Sequence, residues 1–141
     1  MLAKLIEKIS SKKQTGKKET GDEAERIAEK LLVRSGLCCL ERNYRCRFGE
    51  IDLIMQEKPH INATQNQTEK TLVFVEVRLR KSGGFGGAAA SIGVHKQKRI
   101  IAAAQHYLSG MREFPPCRFD AVLLNDLSGD RIEWIKDAFS A

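Results

Sequence analysis

The chain of 141 residues has the length of one ordinary domain, which excludes a large multi-domain assembly. Its 42% hydrophobic and 30% charged residues, with only three prolines, are typical of a packed globular protein rather than a disordered or fibrous one. The net charge of +6 is concentrated in residues 1–20, which carry six lysines and two glutamates. No apolar run suited to a signal peptide or a membrane span is present, so we expect a cytoplasmic protein without a membrane partner.

The predicted elements are, in chain order, a helix over residues 22–35, strands over 37–44, 48–55 and 72–80, a helix over 91–109, and strands over 118–124 and 131–135. A polar segment at 57–70 is predicted to form a long hairpin loop, and a glycine-rich segment at 81–90 a second loop. This order, αβββαββ, indicates an α/β (α+β) fold in which a mixed β-sheet is flanked by helices. Residues 1–20 are predicted to form a basic flexible arm or helix, and residues 21–141 one domain.

Two acids lie on strands that the predicted hairpin brings side by side: Asp52 in GEIDLI and Glu76 in FVEVR. Converging carboxylates suit Mg²⁺ or Mn²⁺, hard cations that take one or two carboxylates and complete their shell with water and phosphate. Arg78 shares the face of Glu76, because strand side chains repeat every two residues. The alternative is that Glu76 and Arg78 lie on a solvent-facing side and pair with neighbours such as Asp52 or Glu50. The spacing leaves both interpretations open.

Basic residues cluster in the stretch before Asp52 and again on the second predicted helix. They are Arg42, Arg45, Arg47, Lys96, Lys98 and Arg99. Cations in such clusters can hold the phosphates of a nucleic acid without reading its sequence. A run of charges is also typical of an ordinary solvated face, and the sequence leaves that alternative open.

Several short motifs follow one another along the chain: GxxxExxAxxL at 21–31, RNYR at 42–45, GEIDLI at 49–54, FVEVR at 74–78, FG at 85–86, KQKRI at 96–100 and RFD at 118–120. In this order they resemble the bacterial YraN family over nearly the whole chain from Gly21 to Phe139. That family is assigned to the restriction-endonuclease-like superfamily, which includes Holliday-junction resolvases. The superfamily's active-site pattern is an aspartate followed by Glu-x-Lys. The resemblance therefore implies an endonuclease-like domain.

The resemblance implies a role for particular residues. Asp52, Glu76 and the backbone carbonyl of Val77 would hold the metal ion, Glu25 on the first helix would act through a water molecule, and Lys96 would meet a phosphate. Glu25 could instead be only a favourable charge near a helix N-terminus, and Lys96 only a solvated lysine.

The implied activity is that of a Mg²⁺-dependent endonuclease that hydrolyses phosphodiester bonds in structured DNA, leaving a 3′ hydroxyl and a 5′ phosphate. Arg45, Arg47, Lys98 and Arg99 would bind neighbouring phosphates. Related resolvases act as symmetric dimers, so the resemblance also raises a homodimer, although the sequence marks no dimer surface.

The chain departs from the superfamily pattern at Arg78, where the pattern has lysine. A lysine ammonium can help to deprotonate water, whereas a guanidinium with a pKa above about 12 stays charged. Two alternatives to the enzyme therefore remain: a weakened or inactive nucleic-acid-binding module of the same fold, and a structural or partner-binding protein whose acids form internal ion pairs.

Overall fold

The computed structural model describes residues 20–58, 70–80 and 92–141. The predicted N-terminal arm, apart from residue 20, lies outside the described residues, and so do the glycine-rich segment and most of the predicted hairpin loop. The division into an arm and one domain therefore stays a prediction.

The helices and strands are α1 (residues 20–34), β1 (Leu37–Cys46), β2 (Gly49–Glu57), β3 (Leu72–Leu79), α2 (Val94–Leu108), β4 (Cys117–Leu124) and β5 (Ile132–Phe139). The predicted fold class and the order αβββαββ are confirmed. No helix in the described part of the chain is both long and apolar enough to span a bilayer.

β5 differs most from its prediction, because it runs to Phe139 rather than ending near residue 135. Asp137 adopts a left-handed backbone conformation with φ 54°, at a shift of register between β4 and β5. Its backbone N–H donates to Asp120 Oδ1 at 2.9 Å. This bond lets the strand continue through two charged residues that the sequence alone suggests as its end.

The five strands form one sheet in the order β1-β2-β3-β4-β5. Only β3 and β4 are parallel; the other neighbours are antiparallel. A parallel pair needs a crossover connection, and α2 lies in that connection between β3 and β4. The sheet is therefore mixed, as the sequence predicts.

Apolar side chains pack on both faces of the sheet. Ala24, Ala28 and Leu32 of α1 pack on one face, and Ile100, Ala103 and Ala104 of α2 on the other. The central strand β3 alternates between these faces, with Val75 toward α1 and Phe74 toward α2. Glu76 thus emerges toward α2.

Ile51 does not share a face with Leu53 and Met55, as regular alternation along the predicted strand 48–55 would require. Leu53 and Met55 pack toward α1, whereas Ile51 packs with Ile54 in the cluster on the α2 side. The alternation of β2 therefore breaks next to Asp52, where β1 also loses its regular pairing.

Candidate metal and phosphate site

Asp52 lies where β2 and β3 separate. The pairing of these strands runs from Gln56 opposite Leu72 to Leu53 opposite Val75 and is not continued to Asp52. Instead, Asp52 Oδ2 accepts a hydrogen bond from the backbone N–H of Val77 at 2.8 Å. The N–H and C=O of one strand residue point the same way, so the Val77 carbonyl also faces the gap that Asp52 fills.

Glu76 meets Asp52 beside this gap, and the two carboxyl groups share a hydrogen bond. Glu76 is only 5% exposed. Burial, followed by the charge of Asp52, raises the pKa of Glu76 to about 8. Burial also raises the pKa of Asp52, although the Val77 N–H opposes that shift. With a pKa of about 8, Glu76 is the member of this pair that holds a proton at neutral pH.

Glu25 adds a third acid from α1. Burial, then the charge of Asp52, raises the pKa of Glu25 to about 7. A hydrogen bond from the Asn43 side chain acts in the opposite direction. The structure thus brings Glu25, Asp52 and Glu76 together from one helix and two strands.

Two cations flank the same oxygen of Glu76. Arg78 Nε lies 3.5 Å from Glu76 Oε1, and Lys96 Nζ lies 3.9 Å from it. Lys96 belongs to the first turn of α2, so the helix delivers its ammonium group to the sheet acid. The interpretation of Glu76 as a solvent-facing strand residue is wrong, because α2 covers that face. Lys96 is likewise not a simple solvated lysine, since its ammonium lies beside a buried carboxyl group.

Asn43 completes the cluster, and sequence reasoning gave it no role. The register of β1 and β2 would set Asn43 opposite Asp52, but the two are not paired, and Asn43 has φ 51°. Asparagine tolerates this left-handed conformation better than most residues. A cavity of about 760 Å³ opens here and is lined by Gly21, Asp22, Glu25, Asn43, Arg45, Glu50 and Asp52. The only sequence signal that could have indicated the role of Asn43 is an asparagine within an arginine-rich strand.

The predicted phosphate-binding residues belong to β1, to the turn after it and to α2. Arg45 lines the cavity and forms an exposed ion pair with Glu50 at 3.4 Å. Arg47 is exposed at the turn between β1 and β2, and Lys98 and Arg99 are exposed on α2. Among the described residues, no ion pair joins these three to the acids. Arg42 is committed elsewhere, since its Nε donates to Glu29 Oε2 on α1 at 2.7 Å.

Comparison with known sequences identifies the family. The model of the uncharacterised protein family UPF0102 matches residues 24–124, which is most of the chain. The chain belongs to the UPF0102 family. This confirms the resemblance to the YraN family, because the two names denote the same family.

Relatives within the UPF0102 family match over almost their whole length. A UPF0102 protein of Methylobacillus flagellatus is 50% identical over 124 residues, covering 88% of this chain and 99% of the relative. A UPF0102 protein of Nitrosomonas europaea is 52% identical over 119 residues, covering 84% and 92%. A third, of Cupriavidus taiwanensis, is 44% identical over 137 residues, covering 97% and 95%. These matches establish the family but indicate no activity.

The residues of this UPF0102 member fit an open magnesium site better than a closed one. No group of three or more His, Cys, Asp or Glu side chains in the described ranges is arranged to hold a metal ion by itself. Mg²⁺ does not need such a cage, since it usually keeps several waters and takes one or two carboxylates plus phosphate. Asp52, Glu76 and the Val77 carbonyl provide oxygen donors of this kind. The shared proton also marks a place where positive charge stabilises the two acids.

Proposed function

We propose that this protein is a Mg²⁺- or Mn²⁺-dependent endonuclease that hydrolyses phosphodiester bonds in structured DNA. The observation that carries the proposal is the convergence of Glu25, Asp52 and Glu76 with Lys96 at the open end of the β2–β3 pair. Acids whose pKa values are raised by burial and by a neighbouring acid beside a cavity are more typical of a functional site than of a structural ion pair.

Asp52, Glu76 and the Val77 carbonyl would hold the metal ion. When bound, the ion acidifies water and stabilises negative charge on a phosphate. The Val77 N–H keeps Asp52 Oδ2 oriented, which leaves the other carboxylate oxygen free to face the ion. Glu76 would hold the ion as a carboxylate, because a cation beside it would favour release of its proton.

Lys96 would supply the ammonium group that the superfamily's pattern has on the strand. Its ammonium lies 3.9 Å from Glu76 Oε1, close enough to orient a water molecule or contact the scissile phosphate. Arg78, fixed as a cation, stabilises charge that develops on the phosphate. Glu25, with a pKa of about 7, is matched to accept the proton of the attacking water near neutral pH.

DNA is the proposed partner because exposed cations belong to β1, to the turn after it and to α2, the elements next to the strands that carry Asp52 and Glu76. Arg45 lines the cavity itself, while Arg47, Lys98 and Arg99 are exposed on the neighbouring hairpin and helix. These cations would hold phosphates on either side of the scissile bond. In-line attack of water on the phosphodiester would leave a 3′ hydroxyl and a 5′ phosphate. A homodimer, which would present two such sites to a four-way junction, is part of this proposal.

One observation favours a second candidate, a nucleic-acid-binding module without turnover. Arg78 replaces the pattern's lysine, and both Arg78 and Lys96 lie beside Glu76, at 3.5 Å and 3.9 Å, without any metal ion. In this case the basic surface would bind DNA while the acids remain an internal ion cluster.

The test is cleavage of linear, flap and four-way DNA with Mg²⁺ or Mn²⁺, run beside Asp52→Asn, Glu76→Gln and the control Glu133→Gln. The control makes the same carboxylate-to-amide change at an exposed residue of β5. The proposal expects metal-dependent cutting by the wild type and the control and none by the other two. Salt-sensitive binding without cutting would select the binding module. Absence of salt-sensitive binding would overturn both.

A further inference from the structure

An exposed aromatic ring lies at the turn between β1 and β2. Phe48 is 42% exposed, and the guanidinium carbon of Arg47 lies 4.7 Å from the centroid of its ring. On α2, the ring of His106 lies 5.5 Å away, tilted by 57°. The ring is therefore fixed by two neighbours yet remains open to solvent, and the proposed chemistry does not use it.

The helix beneath this turn adds positive charge. Gly49 packs so tightly on α2 that a Cβ there would lie 2.7 Å from the carbonyl oxygen of Arg99, so only glycine fits. His106 follows Arg99 by two helical turns and thus lies on the same side of the helix. We call the group Arg47, Phe48, Arg99 and His106 the tip patch. It combines an aromatic surface with two arginines.

The tip patch adjoins the acids along one strand. Phe48 precedes Asp52 by four residues, which corresponds to roughly 13 Å in an extended strand. Arg45, two residues before Arg47 on the same hairpin, lines the cavity at Asp52. A single strand of a few nucleotides could therefore contact the ring and the acids at once.

We propose that the tip patch is a stacking platform for an unpaired nucleobase near the scissile phosphate, an inference that rests on the proposed function. Any base can stack on an aromatic ring or on an arginine plane, while the arginines hold the adjoining phosphates. A base inside a continuous duplex is already stacked and does not reach the ring. The substrate class is thus nucleic acid with unpaired bases beside the cut, such as flaps, bubbles and junctions.

The test measures binding in EDTA, where no metal-dependent cleavage occurs, by fluorescence anisotropy of a labelled single strand and of a labelled blunt duplex. Phe48→Leu keeps an apolar side chain but removes the ring, and Phe48→Trp keeps a ring. Phe114→Leu, at another exposed phenylalanine, is the control. We expect Phe48→Leu to weaken single-strand binding about tenfold, the effect of losing one stacked base, and blunt-duplex binding less than about twofold. Phe48→Trp and Phe114→Leu should bind as the wild type does.

Equal single-strand affinity of Phe48→Leu and wild type would overturn the platform, as would an equal loss on the duplex or no binding at all. Cleavage with Mg²⁺, assayed in parallel, distinguishes failure of the stacking platform from failure of the proposed nuclease activity. If the wild type cuts DNA and Phe48→Leu binds and cuts equally well, the platform alone is wrong. If single-strand binding depends on Phe48 but nothing is cut, the nuclease alone is wrong.

Discussion

Two clusters of polar side chains lie at the sheet, and their buried carboxyl groups have opposite surroundings. Asp120 on β4 is 0% exposed, and both its carboxylate oxygens accept hydrogen bonds. Arg118 Nε lies 3.0 Å from Oδ1, the Asp137 N–H 2.9 Å from the same oxygen, and Trp134 Nε1 2.9 Å from Oδ2. At Asp52 and Glu76, by contrast, two carboxyl groups face each other, and burial raises the pKa of both, with the charge of Asp52 adding to the rise at Glu76.

The comparison shows that burial alone does not identify a functional acid. Asp120 is more buried than Glu76, but its charge is matched by donors from the protein, which ties β5 to β4. Glu25 and Glu76 instead lie beside the charge of another acid, Asp52, which raises the pKa of both. A cluster of this kind is tolerated when a cation or a substrate supplies the missing charge.

The largest expected effect comes from removing Asp120, whose two carboxylate oxygens accept hydrogen bonds from Arg118, Trp134 and Asp137. Asp120→Ala should lower the free energy of unfolding by about 3–5 kcal/mol, because it leaves Arg118 without its buried partner and Trp134 without its acceptor. Urea denaturation followed by circular dichroism measures this loss. Asp126→Ala removes an aspartate from an exposed turn and is the control, with a loss below about 1 kcal/mol. A loss as small at Asp120 would mean that its network does not stabilise the fold.

A smaller effect tests the cation delivered by α2. Lys96→Met keeps the length of the side chain but removes the ammonium beside Glu76, and should reduce metal-dependent cleavage about a hundredfold. Single-turnover rates on a flap substrate measure the effect. Lys98→Met, on the exposed side of the same helix, should change the single-turnover rate at saturating enzyme by less than about threefold. Equal cleavage rates for the two variants would show that Lys96 has no special role in cleavage.

The protonated cluster should respond to pH in a definite direction. The pKa of Glu76 is raised to about 8 in the folded protein, so its contribution to stability is complete below its ordinary pKa of 4.5. That contribution is lost as the pH rises from about 4.5 to about 8. Without metal, Glu76→Gln should be more stable than the wild type at pH 8 by at least about 1.4 kcal/mol, the equivalent of one pKa unit.

Denaturation curves at pH 5 and pH 8 measure this difference, which should shrink at the lower pH. Glu133→Gln, which changes an exposed carboxylate, should show no such dependence. If Glu76→Gln were less stable than wild type at pH 8, Glu76 would be a structural ion-pair partner like Asp120.

The smallest expected effect concerns the departure from the superfamily pattern. Arg78→Lys should change the cleavage rate by less than about threefold, because Lys96 already places an ammonium at Glu76. A rise of ten times or more would show that the arginine limits the rate and that Lys96 does not replace the strand lysine. The measurement is the same single-turnover assay.

Much of the fold could be predicted from the sequence, because the alternation of Leu72–Leu79 and the helical spacing of Ala24 and Ala28 are local patterns. The hairpin of β2 and β3 likewise followed from a polar segment between two apolar runs. The meeting of Lys96 with Glu76 depends on how α2 packs against the sheet, which no local spacing encodes. The role of Asn43 depends on an irregularity of strand pairing.

The Arg118–Asp120 network was missed for the same reason. RFD was a weak motif in the sequence, and its partners Glu57 and Trp134 lie on other strands. Periodicity also misplaced Ile51, because it assumes a regular strand through Asp52. Local patterns therefore predicted the elements, whereas the donors around each acid depend on contacts between elements.

The most direct test of the central claim is calorimetric titration of the metal-free protein with Mn²⁺ or Mg²⁺, in buffers of different ionisation enthalpy at pH 7. The account predicts binding of one or more ions with release of protons, since Glu76 must lose its proton to bind the cation. Asp52→Asn and Glu76→Gln should abolish this binding, and Glu133→Gln should retain it. Metal binding unchanged by the first two variants, or no binding by the wild type, would contradict the account.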